Sequence, residues 1–245
     1  MIKINKISTK PPSDLDKDKC KSKTESLAKK IGELQRIIYA EKKSSVLIIF
    51  QGLDASGKDG TTRHVLGECG IAGTDSYSFK KPTDDESAHD FLWRVHKMTP
   101  AKGMFMIFNR SHYEDVLIQR VHNWIDEDRV AVRMNAINAF EKLLHKDNDT
   151  LVLKFFLHIS QEKQLEKLQE RIDIPKKNWK HNPADWEEAK LYDKYMDAYE
   201  DVINRSELPW HIVPCDKRWY RDYFIASTIH DSLKALNPKL PHIKN

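Results

Sequence analysis

Nine residues, Gly52-Leu-Asp-Ala-Ser-Gly-Lys-Asp-Gly60, carry the spacing G-x-x-x-x-G-K. Glycine lets backbone wrap closely around a bound group. Successive amides from Ala55, Ser56, Gly57, Lys58, Asp59, Gly60 and Thr61 can then face one concavity and hold an anion. A helix that starts there adds its dipole, and Lys58 adds a point charge for the outer phosphates of a polyphosphate ester. The pattern has meaning only between a buried strand and a helix. Residues 46–50 are an apolar, β-branched run and residues 60–69 read as a helix, so the context is met. The chemistry implied is phosphate binding and phosphoryl transfer.

Two departures from the general pattern are informative. Asp59 follows the lysine where Ser or Thr usually supplies a hydroxyl to Mg2+, and Asp54 lies inside the loop itself. A carboxylate beside polyanionic phosphate is repelled unless a cation or a proton lies between them. Asp54 is therefore expected to bind Mg2+, or Mn2+ in its place, or to accept a hydrogen bond from the incoming acceptor phosphate. The plainer alternative is that it only bonds the loop amides.

A second apolar run, 104–108, leads into Asn109-Arg-Ser-His-Tyr-Glu-Asp115. A strand beside a phosphate loop usually delivers an aspartate to the metal. Asn109 stands there instead, a neutral and weaker ligand. Arg110 is placed to contact phosphate or to stabilise charge during transfer. Glu114 and Asp115 could replace the missing aspartate through metal-bound water, though the dipole of the next helix alone would also explain them. Further on, Arg171, Lys176, Lys177 and Lys180 surround Pro175 and Trp179. This is where a basic lid would close over phosphates and expel water, and the lid is expected over 171–190. Lys80, Lys81, His89, Arg94, Arg120 and Arg133 are further candidates for an anion track. Trp186, Tyr192, Tyr195 and Tyr199 read as packing rather than base stacking, and His96, His112, His158 and His211 as structural.

The elements that must position these residues alternate. Strands are expected at 46–50, 76–80, 104–108, 151–159 and 210–213. Helices are expected at 22–43, 60–69, 84–98, 111–125, 129–145, from Ser160 to a break at Ile174-Pro175, at 183–205 and at 219–236. Strands separated by helices predict parallel crossovers and a doubly wound α/β sheet. Residues 1–21, polar with Pro11-Pro12, read as a flexible N-terminal arm, and 22–245 as one domain. With 245 residues, 40% of them hydrophobic and 32% charged, the chain can bury a substantial core. It has no apolar run near the ~20 residues that span a bilayer, and its first residues do not resemble a secretory signal. Cys20, Cys69 and Cys215 lack metal or disulfide spacing. A cytoplasmic protein is expected, without membrane association. The net charge of +4 suits local anion handling rather than nucleic-acid binding.

Taken together, the chain resembles the polyphosphate kinase 2 family. The resemblance rests on the phosphate loop, Ser78-Phe-Lys-Lys-Pro82, His89-Asp-Phe-Leu-Trp-Arg94, Phe108-Asn-Arg-Ser-His-Tyr-Glu-Asp115, Pro175-Lys-Lys-Asn-Trp-Lys180 and Pro209-Trp-His-Ile-Val-Pro214, which together reach from Ser45 to the last helix. It implies a P-loop kinase-like three-layer sandwich, a five-stranded parallel sheet flanked by helices, with a helical lid. It implies Mg2+-dependent, reversible phosphoryl transfer between inorganic polyphosphate and an adenine or other purine nucleotide. By motif position, Asp54 and Lys58 fall on the family's catalytic loop residues, Arg110 on its second-strand arginine, and Arg171, Lys177 and Lys180 on its lid. Many members have Asp where this chain has Asn109. The Asn-Arg-Ser-His-Tyr-Glu form resembles the branch that acts on AMP as well as ADP. A homo-oligomer, dimer or tetramer, is also implied. Two other readings share some of these parts: an ATP-dependent nucleotide or nucleoside kinase, and a non-catalytic polyphosphate- or nucleotide-binding module. No Asn-Lys-x-Asp guanine motif is present.

Overall fold

Each expected strand forms, the second at 74–78 rather than 76–80. In the computed structural model, which describes residues 1–242, β1 (Ser45–Gln51), β2 (Thr74–Ser78), β3 (Phe105–Asn109), β4 (Thr150–His158) and β5 (Trp210–Pro214) make one sheet in the order β2-β3-β1-β4-β5. All four pairings are parallel, with Ile48 opposite Ile107 on one side and Leu153 on the other. The central strand β1 is buried throughout, as a strand covered on both faces must be. Its side chains alternate between two apolar clusters: Val46, Ile48 and Phe50 join one, Leu47 and Ile49 the other. This is the P-loop kinase-like α/β sandwich. The expected end of the domain, residue 245, lies outside the described residues.

The helices are α1 (Lys17–Glu41), α2 (Lys58–Val65), α3 (Asp84–Ala88), α4 (Trp93–His96), α5 (Ile118–Val121), α6 (Glu127–Lys146), α7 (Gln161–Asp173), α8 (Ala184–Ala189), α9 (Tyr192–Arg205) and α10 (Arg218–Ala235). Three expected helices prove to be interrupted. The 84–98 segment splits into α3 and α4 because His89 is extended and the Asp90 carboxylate accepts from the Leu92 amide instead of continuing the helix. The 111–125 segment is a 3-10 turn, His112–Asp115, followed by α5 and stopped at Asn123, whose φ is +56°. The 183–205 segment breaks at Leu191 into α8 and α9.

The expected loose arm over 1–21 is corrected. Helix α1 starts at Lys17 because Asp16 caps it, accepting from the Lys19 amide. Before it, Ile4 is buried in the main core, the Ile4 amide donates to Glu200 and the Ile2 amide to Asn204. Thr9 donates to Asp216 and His158 bonds the Ile7 carbonyl. The buried Ile4 side chain and these hydrogen bonds together anchor the segment. Ile4→Ala is expected to cost about 2–4 kcal/mol, read as a fall in Tm; a Tm equal to wild type would show that the contact carries no stability.

Candidate active site

The topology sets the place. From β1 the chain crosses past β3 to β2, and from β3 it crosses the other way past β1 to β4. The crevice where connections diverge, at the carboxyl ends of the strands, is where such sheets bind ligands. The loop after β1 and the turn after β3 meet there.

The loop after β1 is shaped by positions that resist a side chain. Gly57 has φ +101°, and a Cβ there would lie 1.8 Å from a guanidinium nitrogen of Arg221. Gly52, at φ +152°, has the Leu157 carbonyl oxygen 2.9 Å from the same position. Ala55 is left-handed at φ +67° without being glycine, a conformation that persists where the surroundings enforce it. From α10, Arg221 donates to the Ser56 carbonyl at 3.2 Å and pairs with Asp222, which accepts from Thr61 at 3.3 Å and contacts His64 at 3.2 Å. Arg221 and Asp222 thus brace the loop from behind. No local pattern marks them in the sequence, since their partners in the loop are more than a hundred residues away.

In front of the loop lies a cleft of about 350 Å3. Lys58, Asp54 and Arg110 converge in it. The Lys58 ammonium donates to the carbonyls of Gly52 and Leu53 at 2.7 and 3.1 Å. Arg110 donates to Asp54 at 2.6 Å and to Glu114 at 3.4 Å. Arg110 reaches in because its own backbone is left-handed, φ +60°, with its amide tied to the Phe50 carbonyl. Burial pushes the Asp54 carboxyl up, but Lys58 and Arg110 outweigh it and hold it below its ordinary value. Burial, reinforced by the Arg110 charge, lowers Lys58 from 10.5 to about 8, with Asp54 opposing. Arg110 is raised despite burial, by Glu114 and Asp54.

The lid cations close the same cleft. The segment Pro175–Lys180 is a 3-10 turn after α7. From it Lys180 reaches Asp59 at 3.1 Å, while the other oxygen of Asp59 accepts from Asn109 at 2.7 Å. Burial raises Asp59, but the bonds from Lys180 and Asn109 hold it low. Arg171 pairs with Asp185 and also donates to the Lys180 carbonyl. Lys177 pairs with Glu170 at 2.6 Å, and with Lys167 it holds Glu170 down at about 2 against the effect of burial. Lys80, Lys167 and Arg218 also line the cleft. Lys167 and Arg218 had no motif to reveal them.

Several expected site residues lie elsewhere. Asp115 is buried beside Arg94, 3.7 Å away, and away from the cleft. Burial raises its carboxyl, with Arg94 and Arg133 opposing. Arg94 is itself buried, donating to the Lys80 carbonyl and pairing with Glu86. Arg133 donates to the Asp115 carbonyl and Gln119, and Arg120 is held by Glu127 and Asp201. Arg120 and Arg133 hold the polypeptide around the β3 turn, whereas Arg94, though buried, lines with Asp115 the same hollow as Lys81. His89 stacks on Trp93 at 4.1 Å, outside the cleft. Lys81 lines an adjoining hollow of about 520 Å3 that shares Lys80 and Arg110 with the main cleft and also includes Glu114. Asn109 reaches the cleft, but its amide is turned to Asp59. Tyr195 and Tyr199 are buried as expected, the former donating to Glu188.

Among the described residues no three His, Cys, Asp or Glu side chains gather into a protein-only metal cage. Asp54 and Asp59 both face the cleft. That donor set fits Mg2+, which is usually held by one or two carboxylates together with substrate phosphates and water.

Comparison with known proteins gives concordant results. A family model described as Polyphosphate kinase 2 matches residues 14–241. AMP/ADP-polyphosphate phosphotransferase from Meiothermus ruber is 42% identical over 218 residues, 88% of this chain and 81% of that protein. ADP-polyphosphate phosphotransferase from Rhodopseudomonas palustris is 38% identical over 227 residues, 86% of this chain and 78% of that protein. The crystal structure of polyphosphate kinase 2 from Arthrobacter aurescens superposes with a TM-score of 0.95 at 36% identity, covering 98% of this chain and 88% of that one.

Proposed function

The chain belongs to the polyphosphate kinase 2 family, and we propose from that premise that it transfers phosphoryl groups reversibly between inorganic polyphosphate and ADP, AMP or both. The observation that carries this reading is one cleft holding a phosphate-binding loop, the Asp54–Arg110 pair, Lys58 and a lid of three further cations. So dense a positive lining suits a chain of phosphates on both sides of the transferred group. The relatives from Meiothermus and Rhodopseudomonas carry names for this transfer.

In the proposed scheme the loop amides and Lys58 hold the terminal phosphate of the acceptor nucleotide. The polyphosphate lies along Lys81, Arg110 and the lid residues Arg171, Lys177 and Lys180. The anhydride bond to the chain's last phosphorus breaks as a new one forms to the acceptor oxygen. Charge on the migrating group is shared by Lys58, Arg110 and the lid. Asp54 and Asp59 would hold Mg2+ or Mn2+, which supplies charge neutralisation between the phosphates. Glu114, hydrogen-bonded to Gln51 and Arg110, keeps Arg110 aimed. One phosphoanhydride replaces another, so the reaction runs near equilibrium in either direction. No helix among the described residues is long and apolar enough to cross a membrane, and we place the enzyme in the cytoplasm, working on small anions rather than nucleic acid and as a homo-oligomer.

The test mixes protein, polyphosphate and Mg2+ with AMP or ADP and follows ADP and ATP by chromatography. Nucleotide product that requires polyphosphate supports the reading, and product from AMP assigns both acceptors. Turnover only with ATP as donor would overturn the assignment.

A pH dependence follows from Lys58. Its cationic form binds phosphate, so kcat/KM is expected to fall as pH rises through about 8, approaching tenfold per unit beyond it. Bound phosphate restores the proton, so kcat should hold to higher pH. A pH–rate profile flat across this range would contradict the assignment. For folding the sign is reversed. Between about 8 and 10.5 the unfolded chain holds this proton and the folded one does not, so the group's contribution to stability rises across that window.

A further inference from the structure

A further hollow, of about 440 Å3, lies where α1, α2 and the start of α10 meet. Its size is that of a small-molecule site, and of the residues lining the active-site cleft it shares only Arg218. Its wall is unlike that of the cleft. Trp219, half-buried, is the one large apolar side chain in it. The hydrocarbon stems of long polar side chains extend that apolar surface.

The rim is cationic. Lys17 and Lys21 stand one turn apart on the same face of α1, and Arg218 approaches from α10. All three are exposed. Among the described residues neither Lys17 nor Arg218 has a carboxylate partner, and Lys21 reaches only Asp18, in an exposed pair at 3.2 Å that is worth little. Two carboxylates also line the hollow. Asp222 is already neutralised by Arg221 at 2.8 Å, which leaves Glu25 against three cations.

These features narrow the ligand. A bare phosphate chain would gain nothing from Trp219, and a purely apolar molecule would leave the cations unanswered. A flat ring carrying a short run of phosphates meets both demands. The ring covers the indole, and the phosphates take charge-assisted bonds from Lys17, Lys21 and Arg218. We propose that this hollow is a second nucleotide-binding site, distinct from the cleft, that takes a nucleoside triphosphate with its base on Trp219 and its phosphates at the rim. Its occupant would touch the residues that brace the phosphate loop. His64 and Asp222, 3.2 Å apart, both line the hollow, and Asp222 accepts from Thr61 and from Arg221, which donates to the Ser56 carbonyl. The site does not depend on which phosphates the cleft transfers.

Equilibrium dialysis with the β,γ-imido analogue of ATP tests this, with and without inorganic tripolyphosphate in excess. Tripolyphosphate fills the cleft but has no base for Trp219. Wild type should bind two equivalents per chain without it and keep one in its presence. Lys17→Glu/Lys21→Glu should lose the equivalent that tripolyphosphate leaves. Both positions are exposed, and an acidic residue in the first turn suits the dipole of α1, so the fold and the basal turnover should be unchanged. Trp219→Ala should lose the same equivalent. Displacement of all bound analogue by tripolyphosphate would overturn the proposal, and so would a resistant equivalent that survives both variants. A single equivalent that resists tripolyphosphate and is lost in Lys17→Glu/Lys21→Glu would sustain this site while counting against nucleotide binding in the cleft. Failure of the one reading is thereby distinguished from failure of the other.

Discussion

Lys58→Ala is expected to lower kcat by a factor on the order of 10²–10³, the effect of removing one preorganised charge from a transition state, while the protein stays folded. Lys58 is the innermost cation of the cleft, bonded to two carbonyls of its own loop. In that position it needs no reorganisation to meet a phosphoryl group between the loop and Arg110. Removing it leaves the Asp54–Arg110 pair intact, at 2.6 Å, so residual phosphate binding and some turnover should survive. Stability should change little or rise, since the variant no longer desolvates an ammonium group. The measurement is steady-state kinetics at saturating polyphosphate, with a thermal melt alongside. Full activity in a folded Lys58→Ala would sink the proposed role. Lys58→Arg supplies the second arm: its guanidinium keeps its charge at all accessible pH, so whatever activity it retains should lose the alkaline fall.

Much of this site was legible because its parts are local. A glycine-rich loop between an apolar strand and a helix has one main physical use, and the motif placed Asp54, Lys58 and Asp59 correctly in the cleft. Arg110 was legible for a similar reason: it follows the last residue of a buried strand, and strand ends point at the crevice. The lid was read from charge density around Pro175, and Arg171, Lys177 and Lys180 do line the cleft. What failed was charge without context. Arg120 and Arg133 carry the same formal charge as Arg110, but they stand outside the cleft, held by partners that no local pattern reveals. Arg221 and Asp222 were illegible for the converse reason. Their work is to brace a loop about 165 residues away, in the case of Arg221 and Ser56, and only the packing of α10 shows it. The fold was read strand by strand, yet the buried Ile4 and the long-range hydrogen bonds of Ile2, Ile7 and Thr9 hold a segment that composition assigns to solvent.

The residues with the largest expected effect on stability stand just behind Arg110, in a place where sequence reading saw only a structural histidine. Lys154, Glu141 and His112 are all fully buried. Lys154 donates to Glu141 at 2.6 Å and to the Tyr113 hydroxyl at 2.8 Å, and Tyr113 donates to the other oxygen of Glu141 at 2.9 Å. His112 bonds the same carboxylate at 3.3 Å. Burial pushes the Glu141 carboxyl up, but His112 and Lys154 outweigh it and hold it below its ordinary range. The network ties α6 and β4 to the turn that presents Arg110 and Glu114. Lys154→Met would leave a carboxylate in the core without its cation, which costs about 3–5 kcal/mol, a large part of the ~5–15 kcal/mol that holds a domain together. The double variant Lys154→Met/Glu141→Leu removes both charges and should recover most of that loss, because well-packed apolar replacements of a buried ion pair are often neutral. Denaturant melts of the two variants decide it. If the single and double variants are equally unstable, shape and not charge pairing is what this part of the core requires. If the double variant is stable but has a lowered kcat with an unchanged KM, the network's contribution is to hold Arg110 in register with Lys58 rather than to keep the domain folded.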